Sequence, residues 1–376
     1  MQNNMRVLFT GGATLGPVTP LLAVAEEVKK FTVHGAQFTE MLWVGTRKGP
    51  ERKLVEEAGI SFSWIWAPKL RRYFDVRNFF APLALHLATK IAWFRLLRMR
   101  PDAIVTAGGF VGVPVVWAAW WLRMFGIRIP VLLHNQDVRW SLANKLVAPF
   151  VKRITCALPD TVPVRWKRKS VWTGNPVRAL VLQGNKARGL KMCGFSDRLP
   201  TIMVVGGGTG AMRLNEIVVE ALPELVKKFQ VIHITGRGKS QITNHKSQTN
   251  PKFEITNYCC FEFVTSEMGD LLAASDVVVT RAGMGVLTEL AALGKPMVIV
   301  PIPGTHQEDN ARYFAKKGGA VVLDQDGLSG KKFVSAFENL FGQLGVMQEM
   351  GERGKELSRL DSARAVADEV YGLAKK

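Results

Sequence analysis

The segment Thr280-Arg281-Ala282-Gly283-Met284-Gly285-Val286-Leu287-Thr288-Glu289-Leu290 brings glycines and a carboxylate to one helix start. Glycines at a strand-to-helix turn let backbone N–H groups approach an anion, and the helix N-terminus adds partial positive charge. Glu289 follows Gly285 by one helical turn, about 6 Å along the axis. With phosphates at Gly283 and Gly285, that carboxylate reaches both hydroxyls of an attached ribose; the same spacing also suits a solvated helix glutamate. Further on, Val300–Ala311 reads VPIPGTHQEDNA. A strand there ends in a proline-rich loop, and His306, Gln307, Glu308, Asp309 and Asn310 gather at the next helix start. Amides and carboxylates in such a cluster suit sugar hydroxyls, while helix capping by Thr305 is the plainer alternative.

Three more glycine loops stand at strand ends: Gly11-Gly12-Ala13-Thr14-Leu15-Gly16, Gly108-Gly109-Phe110-Val111-Gly112 and Gly206-Gly207-Gly208-Thr209-Gly210. One such loop can serve turn geometry alone; four point to a diphosphate or nucleotide. A dinucleotide dehydrogenase expects an acidic residue ~20 residues after its glycines, at the end of the second strand. Here that strand, Met41-Leu42-Trp43-Val44, runs into Gly45-Thr46-Arg47, so the acid is missing, although the arginine leaves NADP open. No Walker lysine follows any of the loops, which disfavours a P-loop nucleotidase.

These loops need strands to carry them. Apolar runs predict strands over Arg6–Thr10, Met41–Val44, Ala103–Thr106, Pro130–Leu133, Arg153–Ala157, Ile202–Val205, Val231–Ile234, Val277–Thr280, Met297–Val300 and Ala320–Leu323. Helical patterns such as Pro20–Lys30 and Glu216–Lys228 separate them, an order that predicts parallel sheets covered by helices on both faces. A weak repeat, Val7–Gly16 against Ile202–Gly210, opens each half with a buried strand entering a glycine loop. It predicts two Rossmann-like α/β domains. The irregular stretch Pro159–Lys169 sets the boundary, giving domains 1–165 and 166–360, with a closing helix at 361–376 that packs back on the first.

The chain has 376 residues, enough for two domains, and 47% hydrophobic content for their cores. Fifty Lys and Arg against 31 Asp and Glu give a formal charge of +19. That balance favours anionic partners, or else is a generally basic surface. The positives are scattered and form no nucleic-acid-binding motif. Cys156, Cys193, Cys259 and Cys260 have neither metal-ligand nor disulfide-framework spacing, which fits a reducing, cytoplasmic setting. The opening MQNNMRVLFTGG lacks a signal-peptide core. The apolar run Phe110–Leu122, broken by Arg123, is shorter than the ~20 residues of a spanning helix. Residues 69–100, KLRRYFDVRNFFAPLALHLATKIAWFRLLRMR, interleave basic and large apolar side chains. They suit a helix lying on an anionic bilayer, or an ordinary amphipathic core helix. Trp117, Trp120 and Trp121 either extend that face or belong to the core.

Motifs in order along nearly the whole chain resemble the UDP-N-acetylglucosamine–N-acetylmuramyl-(pentapeptide) pyrophosphoryl-undecaprenol N-acetylglucosamine transferases of peptidoglycan synthesis. Thr10–Pro20 is similar to that family's TGGGTGGHxxP loop, and Gly108–Pro114 to GGYVSxP. His134-Asn135-Gln136-Asp137 with Asn144-Lys145 resembles HEQN with NK, and Thr173–Arg178 contains the GNPVR run. Gly206–Ala211 resembles GGSQGA, Arg281–Glu289 resembles RSGAxTxxE, and His306–Ala311 resembles HQxxNA.

The resemblance implies a GT-B fold, two Rossmann-like domains whose parallel sheets face a central cleft. It implies an inverting transfer of GlcNAc from UDP-GlcNAc to a polyprenyl-diphosphate-linked muramyl pentapeptide, without metal or other cofactor. Glu289 would bind the ribose; Gly207, Gly208 and Thr209, with Arg178 nearby, would face the diphosphate. Phe263 and Val264 would flank uracil, Gln307 and His306 would read the GlcNAc hydroxyls, and Gly283, Gly285 and Asn310 complete the donor set. Thr14, Gly16, Gly108, Gly109, Asn135 and Asn144, with His134, would receive the acceptor. The enzyme would work peripherally at the cytoplasmic face of the plasma membrane, with an anionic surface and no nucleic acid as partner. Departures fall on the acceptor side: Pro17 stands where the family has His, Asn135 where it has Glu, Asp137 where it has Asn, Phe110 for Tyr and Gly112 for Ser. Proline takes up no proton, so Asp137 is expected to serve as general base, with His134 as the second candidate. A transferase for another membrane lipid, a UDP-sugar epimerase and a non-catalytic donor-binding component of a cell-wall assembly are the alternatives.

Overall fold

A computed structural model describes residues 5–33, 39–67, 77–207, 211–238 and 256–375. The chain divides into two units, Met1–Val177 with Leu360–Lys376, and Arg178–Arg359. Gly208, Thr209, Arg71 and Arg72 lie outside the described residues.

The first unit runs β1 (Met5–Thr10), α1 (Thr19–Val33), β2 (Thr39–Gly45), α2 (Glu51–Glu57), β3 (Ser61–Trp64), α3 (Arg77–Met99), β4 (Ala103–Thr106), α4 (Gly112–Leu122), β5 (Val131–Asn135), α5 (Leu142–Val147), β6 (Arg153–Cys156) and β7 (Ser170–Trp172). Its strands form one parallel sheet ordered β3-β2-β1-β4-β5-β6-β7. The second unit runs α6 (Ala179–Leu182), α7 (Lys186–Cys193), β8 (Thr201–Val205), α8 (Met212–Leu225), β9 (Gln230–Ile234), β10 (Tyr258–Phe261), α9 (Met268–Ala274), β11 (Val277–Thr280), α10 (Met284–Leu293), β12 (Met297–Ile299), α11 (Gln307–Lys316), β13 (Val321–Val322), α12 (Gly330–Phe341) and α13 (Leu344–Lys355). Its parallel sheet is ordered β10-β9-β8-β11-β12-β13. Each unit therefore starts in mid-sheet, builds outward to one edge, then crosses back and builds to the other. The strand order reverses between β1 and β4, and between β8 and β11. Ligands of open α/β sheets bind beyond the carboxyl ends of the strands at such a reversal.

The central strands β4, β5, β8, β9 and β11 are buried along their whole length, as parallel strands covered on both faces must be. The apolar runs mark these strands well. Three strands escape that reading, β3, β7 and β10, and all three are sheet edges with half-exposed residues. An edge strand buries only part of its surface, so its residue types are less tightly constrained.

The boundary also differs from residue 165. β7 still pairs with β6, so the first unit extends to Val177. The closing helix α14 (Ser362–Ala374) packs against α1, and Val366 and Val370 sit in one core with Val24 and Val28. Burying each valine contributes roughly 1.5–3 kcal/mol. Arg153 donates to both carboxylate oxygens of Glu369 at 2.7 and 3.0 Å, a two-point grip that sets the helix's orientation.

Candidate functional site

In the second unit, Val205 pairs with Thr280, so the chain leaves β8 and β11 side by side into the Gly206 and Gly283 loops. A Cβ on Gly206 would come within 2.7 Å of the Ala211 nitrogen, so this glycine is needed to bring α8 close to its strand. Gly207 and Gly283 face open space, and Gly207 has φ of +89°. Among the described residues no side chain caps the N-terminus of α8 or α10, unlike α5, α7 and α12, which Ser141, Asn185 and Ser329 cap. Their leading N–H groups are left for an anion to satisfy.

Glu289 sits one turn into α10, with 14% of its side chain exposed. Arg178 reaches its Oε1 through Nε at 3.2 Å and Nη2 at 3.1 Å. Both contacts fall on one oxygen, which leaves Oε2 without a partner among the described residues. Burial pushes the Glu289 carboxyl above the ordinary glutamate range, and Arg178 pulls the other way. A half-spent, mostly dry carboxylate beside an open anion loop is arranged to take hydroxyl donors. Arg178 is one-third exposed, so part of its guanidinium stays open to solvent.

His306 precedes α11, and its buried Nδ1 has no partner among the described residues. Gln307 Oε1 instead accepts from the Ile302 N–H at 3.2 Å, which folds the proline-rich loop onto the helix start. Asn310 differs from its expected part. It is fully buried and donates to the Ala282 carbonyl at 3.1 Å, so it holds the glycine loop rather than reading a sugar. Phe263 is half-buried with the Arg237 guanidinium 4.3 Å over its ring, and Val264 is buried beneath.

In the first unit, Thr10 pairs with Thr106, which sets the two glycine loops together beyond β1 and β4. Gly108 and Gly109 have φ of +97° and +85°, and a Cβ on Gly109 would lie 3.1 Å from the Gly12 carbonyl oxygen. Thr14 and Gly16 are exposed. Ala13 takes a left-handed φ of 70°, which disfavours any residue with a Cβ.

The structure gives His134 a different part from a proton-transfer group. It is fully buried, with Nδ1 2.9 Å from Thr155 Oγ1 and Nε2 3.0 Å from Asn175 Oδ1. Burial lowers its pKa to about 4, opposed by the Asn175 hydrogen bond, so the ring stays neutral and ties β5 to β6 and to the segment leaving β7. Asn135 and Asn144 likewise turn inward. Asn144 Nδ2 donates to Asn135 Oδ1 at 2.9 Å, and Asn135 Nδ2 donates to the Asp137 carbonyl at 3.0 Å. A Cβ on Gly108 would meet Asn144 Oδ1 at 2.3 Å, so the amide pair props the glycine loop from behind. Asp137 is half-buried at the end of this ladder.

Sequence reasoning missed Glu51. It is fully buried; its Oε1 accepts from the Thr46 N–H at 2.6 Å, and its Oε2 has no partner among the described residues. A Cβ on Gly12 or on Gly49 would collide with that carboxylate. The cluster of glycines at 12, 45 and 49 around an acidic helix start was the one available signal. Arg237 was missed too, because nothing in its own segment points to Phe263. No cluster of His, Cys, Asp or Glu suited to a metal occurs among the described residues.

Residues 7–156 match the glycosyltransferase family 28 N-terminal domain, and residues 201–364 match the family 28 C-terminal domain. A relative from Lachnoclostridium phytofermentans named UDP-N-acetylglucosamine--N-acetylmuramyl-(pentapeptide) pyrophosphoryl-undecaprenol N-acetylglucosamine transferase is 34% identical, across 97% of this chain and 99% of that protein. A relative of the same name from Clostridium botulinum is 37% identical, across 89% and 91%. The crystal structure of Acinetobacter baumannii MurG is 24% identical with a TM-score of 0.75, covers 98% of this chain and 99% of that one, and shows the shared GT-B fold. With both family 28 domains in order and named relatives alike along nearly its full length, the chain belongs to the UDP-N-acetylglucosamine–N-acetylmuramyl-(pentapeptide) pyrophosphoryl-undecaprenol N-acetylglucosamine transferase family and is a glycosyltransferase.

Proposed function

We infer that this chain moves N-acetylglucosamine from UDP-N-acetylglucosamine to the muramyl hydroxyl of a polyprenyl-diphosphate-linked N-acetylmuramyl pentapeptide. The observation that carries the reading is the second unit's reversal point. There an open glycine loop, an uncapped helix start and the spare oxygen of Glu289 lie within one helical turn. Ribose hydroxyls donate to Glu289, the diphosphate meets the N–H groups at the starts of α8 and α10 with Arg178 beside them, and uracil takes the Phe263–Val264 edge. His306 and Gln307 face the sugar. The reading places the leaving diphosphate's charge on fixed N–H dipoles and Arg178 and uses no metal ion.

The glycine loops of the first unit take the acceptor's diphosphate. The acceptor oxygen attacks the anomeric carbon as its bond to UDP breaks, so the configuration inverts. The hydroxyl proton passes to Asp137, and UDP leaves as the anion. Asp137 is preferred to His134 because His134 has both ring nitrogens engaged in the interior.

A lipid-linked acceptor requires work at a membrane surface, here the cytoplasmic face. Leu83, Leu87, Ile91 and Phe94 recur at helical spacing on α3 and are 44% to 67% exposed. Met124 and Phe125 extend this apolar face, and Trp93 meets Phe125 edge-on at 5.8 Å. Lys90, Arg98 and Arg123 are exposed nearby in sequence, which suits anionic headgroups. No helix among the described residues is long and apolar enough to cross a membrane, which fits peripheral attachment.

The test is incubation of purified protein with labelled UDP-N-acetylglucosamine and lipid-linked muramyl pentapeptide. Label passing to the lipid, and lost with Glu289→Ala, is the expected result. Label released only as free sugar, or an epimerised donor with no transfer, overturns the reading.

A further inference from the structure

We propose that an apolar slot between α3 and α4 holds the first isoprenyl units of the acceptor's lipid tail. The proposal rests on the acceptor reading above. The slot has a volume of about 270 Å³, with Ala81, Pro82 and Leu85 of α3 on one side and Val113 and Trp117 of α4 on the other. Phe110 also lines it, and Phe110 directly follows Gly109 in the glycine loop beyond β4.

That adjacency has a chemical consequence. In a polyprenyl diphosphate no spacer separates the phosphate from the hydrocarbon, because the first five-carbon unit is bonded to a phosphate oxygen. A diphosphate seated on Gly108 and Gly109 delivers its first isoprenyl carbons beside Phe110. An exposed hydrocarbon there would remain in water; the slot gives it an apolar surface to bury.

The walls suit hydrocarbon. Among the described residues every lining side chain is apolar, and their one hydrogen-bond donor, Trp117 Nε1, is already given to the Leu146 carbonyl at 3.3 Å. Side chains of this kind offer a water molecule no partner, and water is held in a recess by polar groups. The volume sets the length of tail taken. An apolar cavity of roughly 150 Å³ accommodates benzene, so this slot takes about ten carbons, or two isoprenyl units, and not a whole polyprenyl chain. The remainder continues past exposed Leu83 and Leu87 on the same helix toward the bilayer.

Transfer is assayed with the full chain without vesicles or detergent, and binding to anionic vesicles is measured separately. Muramyl-pentapeptide diphosphates with a two-unit or a three-unit prenyl tail serve as acceptors. Val113→Phe fills the slot and Leu85→Ala widens it. Val113→Phe is expected to raise the KM for the two-unit acceptor at least tenfold, with the KM for UDP-N-acetylglucosamine and binding to anionic vesicles unchanged. Leu85→Ala is expected to shift preference toward the three-unit tail. Unchanged acceptor KM values in both variants overturn the proposal. So does a loss of vesicle binding in Val113→Phe with the acceptor KM unchanged, since the slot would then hold a bilayer chain. If Val113→Phe unfolds, Leu85→Ala decides: an unaltered tail preference overturns the proposal. A wild-type chain that transfers to neither acceptor defeats the acceptor reading itself, and a wild-type chain that transfers equally well to an acceptor without any tail defeats only the slot.

Discussion

Trimming Glu289 to alanine removes the carboxylate that the donor reading depends on, and the cost follows from its surroundings. Oε1 is engaged by Arg178 and Oε2 is spare, so a ribose gains one hydrogen bond at Oε2 and shares or displaces Arg178 for the second. Hydrogen bonds to a charged group contribute about 1.5–3 kcal/mol each. Arg178 is one-third exposed, and in this reading it turns to the diphosphate once released, which returns part of the loss. A net loss of about 2–4 kcal/mol corresponds to a roughly 30- to 1,000-fold rise in Kd for UDP. Glu289→Gln keeps the shape and one acceptor oxygen, so its loss is smaller. The two variants also separate in their pH behaviour. Burial raises the Glu289 pKa, so wild-type affinity falls on acidification at a higher pH than for an ordinary glutamate, while the Gln variant loses this dependence. The same raised pKa costs the empty protein stability. That cost is absent below the unfolded pKa and appears as pH rises through the folded one. Glu289→Gln should therefore unfold at the same or a higher temperature than wild type at neutral pH while binding UDP more weakly. Calorimetric titration with UDP, on variants whose circular dichroism matches wild type, measures the effect. An unchanged Kd for Glu289→Ala refutes the reasoning.

Other predictions concern the first unit. Asp137→Asn should lower kcat by roughly 10²–10⁴-fold with little change in the KM for donor, as expected for a lost general base; an unaltered kcat removes Asp137 from that role. The His134 pKa of about 4 against an ordinary 6.5 means that the unfolded chain takes up a proton that the folded one refuses. Its share of stability is whole above pH 6.5 and falls by about 3 kcal/mol as pH drops to 4. Denaturant titrations of His134→Gln should show a shallower decline over that window, and an equal slope contradicts the assignment. Ala13→Gly relieves a left-handed φ of 70° and should stabilise the loop by about 1 kcal/mol, read as a raised denaturation midpoint. Replacing Leu83, Leu87 and Phe94 by serine, or Lys90, Arg98 and Arg123 by glutamine, should reduce co-sedimentation with anionic vesicles. Each basic residue near the surface contributes about 1 kcal/mol, and undiminished binding by both sets rejects this face.

Much of this architecture could be read from residue order alone. Strands such as Val277–Thr280 are buried on both faces, so they must be apolar at every position, and that demand is written in the sequence. Glycine loops after such strands are equally legible, because backbone geometry and close packing require glycine there whatever lies elsewhere, as Gly108 and Gly206 show. Glu289 was legible for the same local reason: four residues along a helix is a fixed distance. Edge strands Ser61–Trp64, Ser170–Trp172 and Tyr258–Phe261 were not, since half their surface meets solvent and places no strict demand on residue type.

Which way a polar side chain turns depended on partners far along the chain. His134 looks like a catalytic group by type, yet Thr155 and Asn175, 21 and 41 residues away, close over both its nitrogens. Asn144 looks like a ligand contact and proves to be a prop under Gly108, while Glu51 looks like a surface helix start and lies buried beneath Gly12. Backbone demands are local and survive in the order of residues. The fate of a hydrogen-bonding side chain is set by which distant groups the sheet brings beside it, and that pairing exists only once the chain has folded.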